Sequence, residues 1–143
     1  MKNPVVSGAA ICDYIPQRAP IVMIDKFFGI EGDTSSCGLT IQPDCLLVEN
    51  GQLTDGGIIE HIAQSGAMHI GYESVSNGNG VPLGVIGNVS KLTINALPKV
   101  GDELYTTIKF EAVVGSVSLI AAEVKVGETV IATGKMKVAT QPQ

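Results

Sequence analysis

Asp55-Gly56-Gly57-Ile58-Ile59-Glu60-His61-Ile62-Ala63-Gln64-Ser65-Gly66-Ala67-Met68-His69-Ile70-Gly71-Tyr72 is apolar at almost every helical position. That pattern predicts a helix buried on nearly all sides rather than laid on a surface. Yet the stretch carries a carboxylate, Glu60, expected in its first turn. A lone buried carboxylate is costly unless it is paired, hydrogen-bonded or protonated. At helical spacing Glu60 shares a face with Ala63, Gln64, Ala67 and Gly71, a polar pair followed by a trough of small side chains. This is the shape of a site, and Glu60 is its first candidate.

Outward from the helix, Thr54 or Asp55 is placed to cap it. Residues 44–54 have no clear period and contain the turn signal Glu49-Asn50-Gly51. Further upstream, Ile21 to Ile30 reads as one strand, Glu31-Gly32-Asp33 as a turn, and Thr34 to Gln42 as a second strand. Residues 1–20 form a short arm with a turn of helix near Ser7 to Cys12, and Pro16 and Pro20 force an extended approach. Downstream, Ser74 to Gly80 is a loop. Strands follow at Leu83 to Ile94, Glu103 to Val114, Val117 to Val126 and Thr129 to Val138, with Gly115-Ser116 and Gly127-Glu128 suited to tight hairpins. The order predicts an α+β domain in which a curved antiparallel sheet wraps a long central helix.

Composition narrows the class. The chain has 143 residues, enough for one domain with a proper core. At 45% hydrophobic and 16% charged it reads as well buried, and so low a charge implies that another subunit covers part of the surface. A net charge of -5 argues against nucleic acid and anionic lipid as partners. Trp is absent, so stacking platforms are scarce and any pocket should be aliphatic. Cys12, Cys37 and Cys45 form an odd set without close pairing, which fits reduced thiols in a cytoplasm. No segment reads as a signal peptide or a membrane span.

Three motifs together resemble the β-hydroxyacyl–acyl carrier protein dehydratase family, whose members have the hot-dog fold. Ile15-Pro16-Gln17-Arg18-Ala19-Pro20-Ile21-Val22-Met23-Ile24-Asp25-Lys26 is similar to that family's Pro-His-Arg-x-Pro-(apolar)-Asp-Arg strand. Gly57-Ile58-Ile59-Glu60-His61-Ile62-Ala63-Gln64 is similar to its Gly-(apolar)-Ile-Glu-x-(apolar)-Ala-Gln helix, and Pro98 with Gly101-Asp102 to its Pro-Gly-Asp-x-Leu turn. Two departures stand out. Where the family has Gly-His-Phe-Pro-Gly with a catalytic His, this chain has Val48-Glu49-Asn50-Gly51-Gln52, and Gln17 replaces the His of the first motif. The pattern is closer to the dehydratase-like proteins of aryl-polyene and flexirubin pathways.

The resemblance implies a hydro-lyase acting on β-hydroxyacyl thioesters of acyl carrier protein or coenzyme A, in fatty-acid or polyene-type biosynthesis. Its site would lie in a homodimer or in a heterodimer with a His-bearing paralogous subunit. It assigns the acid–base role to Glu60. Backbone N–H groups at the helix start, near Gly56 and Gly57, would hold the thioester carbonyl. Asn50 and Gln64 are positioning candidates, and Glu49 is the one nearby side chain able to serve as a base if it points inward. Two effects on the acidity of Glu60 oppose each other: the helix dipole favours the carboxylate, whereas desolvation in a dry site favours the protonated donor. His61 and His69 read as structural, Asp25 as a partner of Arg18 or a loop cap, and Gln64 equally as a holder of Glu60 or a pin to a strand. Neither Cys45 nor Ser65 has a visible nucleophile–base arrangement. No cofactor and no metal is implied. Arg18, Lys26, Lys91 and Lys99 are candidates for docking an acidic carrier protein. Two other readings stay open: a hot-dog acyl thioesterase in which Glu60 activates water, and a non-catalytic acyl-binding subunit, favoured by the missing loop His.

Overall fold

Thr54 opens the central helix. Its hydroxyl accepts the Gly57 N–H, satisfying an amide that a helix start leaves without an intrahelical partner. In the computed structural model, which describes residues 3–141, α1 (Asp55–Ser76) then runs for 22 residues. No residue from 57 to 72 is exposed. Two glycines are required by close approach. A side chain at Gly57 would overlap that of Leu53, and one at Gly71 would collide with the Tyr14 carbonyl.

The strands are β1 (Val6–Ser7), β2 (Lys26–Glu31), β3 (Thr34–Thr40), β4 (Val48–Glu49), β5 (Gln52–Leu53), β6 (Leu83–Ile94), β7 (Glu103–Val114), β8 (Val117–Val126) and β9 (Thr129–Gln141). Seven of them make one sheet in the order β1-β2-β3-β7-β8-β9-β6, with every neighbouring pair antiparallel. β4 and β5 form a separate small hairpin around Asn50-Gly51, where both residues take positive φ. The chain leaves the sheet after β3, crosses it as α1 and returns at the far edge as β6.

Period-two burial explains why the sheet packs on the helix. Leu104, Thr106 and Ile108 of β7 and Ser118, Ile120, Ala122 and Val124 of β8 point inward, their neighbours outward. Ile58 and Ile62 of α1 pack into this layer with Leu104, Ile108, Ile120, Val124 and Met136. A second cluster, built on Ile11, Ile15, Ile24, Phe27, Cys37 and Met68, joins the 3₁₀ turn Gly8–Asp13 to the later turns of the helix. Each such fully buried side chain contributes about 1.5–3 kcal/mol.

Several boundaries differ from expectation, and the strand expected over Thr34 to Gln42 ends at Thr40. The strand expected over Ile21 to Ile30 begins only at Lys26. Residues 21–23 are not paired with a strand because helix side chains take their backbone groups: Gln64 bonds Ile21 O and Met23 N, and His61 bonds Met23 O. The helix continues past Ser74 to Ser76 and ends where Asn77 N bonds back to Glu73 O and Gly78 takes φ +82. Isolated serines do not break a helix; Asn77-Gly78 does. β9 extends beyond Val138 because its last residues pair with the start of β6, Gln141 opposite Leu83. Among the described residues the cysteines are free thiols, and no helix is long and apolar enough to cross a membrane.

Candidate active site

With α1 starting at Asp55, Glu60 lies in the second turn, and Asp55 is the acidic residue of the first. The expectation of a first-turn carboxylate is corrected by the position of the Thr54 cap. The dipole acts mainly within the first turn, so Glu60 is held chiefly by hydrogen bonding. It is half-buried, and Oε1 accepts a bond from Gln64 Nε2 at 2.8 Å. Gln64 itself is fully buried. The same Nε2 donates to Ile21 O at 2.8 Å, and Oε1 accepts Met23 N at 2.6 Å. Gln64 therefore does both things open to it: it pins the segment before β2 to the helix and orients Glu60.

Glu60 lines a cleft of about 240 Å³ together with Gln17, Ala63, Ala67, Gly84 and Val138. Its walls are small or aliphatic, apart from one carboxylate and one amide. Arg18 does not neutralise the carboxylate. Its Nη1 donates to the carbonyls of Ile15 and Gln17, each at 2.8 Å, and so shapes the turn that carries Gln17 to the cleft. Gln17 was not among the candidates drawn from sequence. Its one signal was its position in the slot that holds His in the resembling motif.

The other candidates sit elsewhere. Gly56 N bonds Asp55 Oδ1 at 2.8 Å and Gly57 N bonds Thr54 Oγ1 at 3.2 Å, so both amides are engaged by the chain's own caps. Gly57 is buried beneath Leu53 and Leu47, whereas Gly56 is exposed. Glu49 and Asn50 are exposed on the β4–β5 hairpin. None of these four lines the cleft.

Both histidines of the chain are tied into the core. His61 is fully buried, with Nδ1 2.7 Å from Met23 O and Nε2 2.7 Å from Thr106 Oγ1. Nδ1–H donates to the carbonyl, so Nε2 accepts the Thr106 hydroxyl and the ring is neutral. Burial pushes its pKa down to about 4. His69 meets Ser35 Oγ at 2.8 Å and packs on Phe110, and burial also lowers it to about 4. Glu73 Oε1 lies 3.6 Å from its Nε2, but that side chain is 57% exposed and too solvated to outweigh burial.

Asp25 pairs with Lys26 at 2.9 Å and accepts Thr40 N at 3.0 Å, rather than meeting Arg18. Lys26 also lies 3.5 Å from Glu103, which leaves Arg18, Lys91 and Lys99 as the exposed cations among the docking candidates. Ser65 Oγ donates to His61 O, and Cys45 Sγ rests 3.6 Å from Met23 Sδ. Burial raises the Cys37 thiol to about 12. Among the described residues no group of three or more His, Cys, Asp or Glu side chains could hold a metal ion.

Residues 9–143 match the family model of ApeP-like proteins, described as ApeP dehydratase. The chain belongs to the ApeP-like dehydratase family. The ApeP-like chain superposes on a solved chain of the dehydratase heterocomplex ApeI:P from Xenorhabdus doucetiae with a TM-score of 0.85 and 19% identity, covering 100% of this chain and 93% of that one. Cj0977, a sigma28-regulated virulence protein of Campylobacter jejuni, gives 0.70 and 14% over 93% and 89%. A mutant of thioesterase PA1618 from Pseudomonas aeruginosa gives 0.65 and 10% over 82% and 81%. At these identities the likeness speaks to the fold, which is α+β and hot-dog. Among curated protein sequences nothing matches this chain. The ApeP-like chain is a dehydratase-like hot-dog protein.

Proposed function

We propose that this protein is one subunit of a dehydratase acting on β-hydroxyacyl thioesters of acyl carrier protein or coenzyme A, with Glu60 as its acid. The observation that carries the reading is the placement of Glu60: a half-buried carboxylate in a cleft otherwise apolar but for Gln17, held through one oxygen by Gln64 and not paired with a cation among the described residues. In the reaction a base removes the α-proton, the carbon–carbon double bond forms, and the β C–O bond breaks. The departing hydroxyl takes the proton from Glu60 and leaves as water. The thioester oxygen gathers charge meanwhile and needs donors, for which the exposed Gly56 N–H is the candidate once it exchanges Asp55 for substrate.

The chain holds two histidines, and neither lines the cleft. The base therefore comes from a second subunit, a His-bearing paralogue. The likeness to a chain of the ApeI:P heterocomplex supports this arrangement. Asn50 and Glu49, on the exposed hairpin, remain candidates for positioning substrate from across that interface. Free thiols and a carrier-protein substrate support a cytoplasmic location.

One assay tests the reading. The purified protein, alone and with the His-bearing paralogue, is incubated with a β-hydroxyacyl-carrier protein and the products are weighed by mass spectrometry. Loss of water in the mixed sample is expected. Free acid would establish thioester hydrolysis instead, and unchanged substrate with measurable binding would establish a non-catalytic acyl-binding subunit.

A further inference from the structure

Gln17, one of the residues lining the cleft, carries a polar atom that the fold leaves unanswered. Gln17 Oε1 is shielded from solvent, and no donor among the described residues reaches it. Native structures keep few such atoms, because an acceptor stripped of water and given no donor is destabilising. The surrounding groups offer no relief. Gln64 spends its amide on Ile21 O, Met23 N and Glu60, and Arg18 Nη1 spends its own bonds on the carbonyls of Ile15 and Gln17. The turn is thus fixed with Gln17 and Glu60 lining the same cleft, and nothing among the described residues supplies the missing donor.

Resting on the dehydratase reading, we propose that Gln17 is a positioning residue for the substrate's β-hydroxyl. Within the acyl part of a β-hydroxyacyl thioester, the hydroxyl is the one O–H donor. The pantetheine arm carries N–H groups, but its carbonyls would meet the walls of Ala63, Ala67, Gly84 and Val138, which have no donor side chain. An acyl chain suits those walls. With its hydrogen given to Gln17 Oε1, the hydroxyl turns an oxygen lone pair toward Glu60, whose proton it takes as the C–O bond breaks. Gln17 gains and loses no proton. The enoyl product has no O–H, so this bond leaves with the water and the site discriminates substrate from product.

The test is equilibrium binding of two small thioesters, 3-hydroxybutyryl- and butyryl-N-acetylcysteamine, to the wild-type protein and to Gln17→Met, each assembled with the His-bearing paralogue. The wild type should prefer the hydroxylated probe by about tenfold, the scale of one neutral hydrogen bond. Gln17→Met should bind both probes alike, at the strength with which the wild type binds the butyryl probe. An unchanged preference in the variant overturns the inference and leaves the dehydratase reading standing. Equal binding of the two probes by the wild type overturns it as well, with no variant needed. Failure of the wild type to bind either probe overturns both the inference and the reading on which it rests.

Discussion

Glu60 turns toward a cleft, while His61, one residue along the same helix, turns into the core. His61 is closed on every side: a carbonyl on one nitrogen, the Thr106 hydroxyl on the other, and no exposure. Glu60 is held through one oxygen by Gln64, and the same cleft is lined by Gln17, whose amide oxygen has no donor among the described residues. The difference separates what a buried polar group does for a fold from what it does for chemistry. A fully paired centre rigidifies and specifies the core. A partly paired one beside a cavity has capacity left for a ligand.

Acid should break the closed centre hardest. Both histidines are held neutral down to about pH 4, whereas in the unfolded chain they protonate near 6.5. The unfolded state binds more protons within that window, so stability falls as pH drops through it and is intact above it. His61 accounts for about 3 kcal/mol, a large share of a domain's total stability, and His69, nearer to solvent, for a similar or smaller amount. Urea unfolding across the window measures the slope. His61→Gln should remove about half of it, and a flat profile in the wild type would refute the assignment.

Deleting the closed centre comes next. His61→Leu leaves Met23 O and Thr106 Oγ1 without their partner and should cost about 2–4 kcal/mol of unfolding free energy, while turnover per folded molecule is kept. Gln64→Leu probes the residue that serves both tasks. It should cost about 1–3 kcal/mol and also lower turnover, since the Ile21–Met23 segment and the Glu60 carboxylate lose one anchor together. Unchanged turnover would show that orientation of Glu60 by Gln64 is immaterial. The smallest effect belongs to the exposed surface: charge reversal at Lys91 and Lys99 should weaken carrier-protein binding a few-fold and salt-dependently, with the unfolding midpoint fixed. Unaltered affinity would reject that docking surface.

Much of this architecture was readable from the chain because local signals and tertiary contacts agree. The first half of β7 and most of β8 alternate, glycine turns divide β7 to β9, and residues 55–72 are too apolar for a surface helix. The strand expected over Ile21 to Ile30 was misread for a tertiary reason. Its first residues look extended, but their backbone bonds go to Gln64 and His61, 38 or more positions away. The same limit applies at the cleft. Glu60, Ala63 and Ala67 share a helix face and can be grouped from spacing alone, whereas Gln17, Gly84 and Val138 arrive from three distant segments. No local pattern foretells an acceptor left without a donor.

The most direct test of the account is turnover of a β-hydroxyacyl-carrier protein by Glu60→Gln, assembled with the proposed His-bearing partner and read beside its unfolding curve. The account predicts a loss of about a hundredfold or more with the midpoint unmoved. Undiminished dehydration, or a loss that merely tracks unfolding, would contradict it.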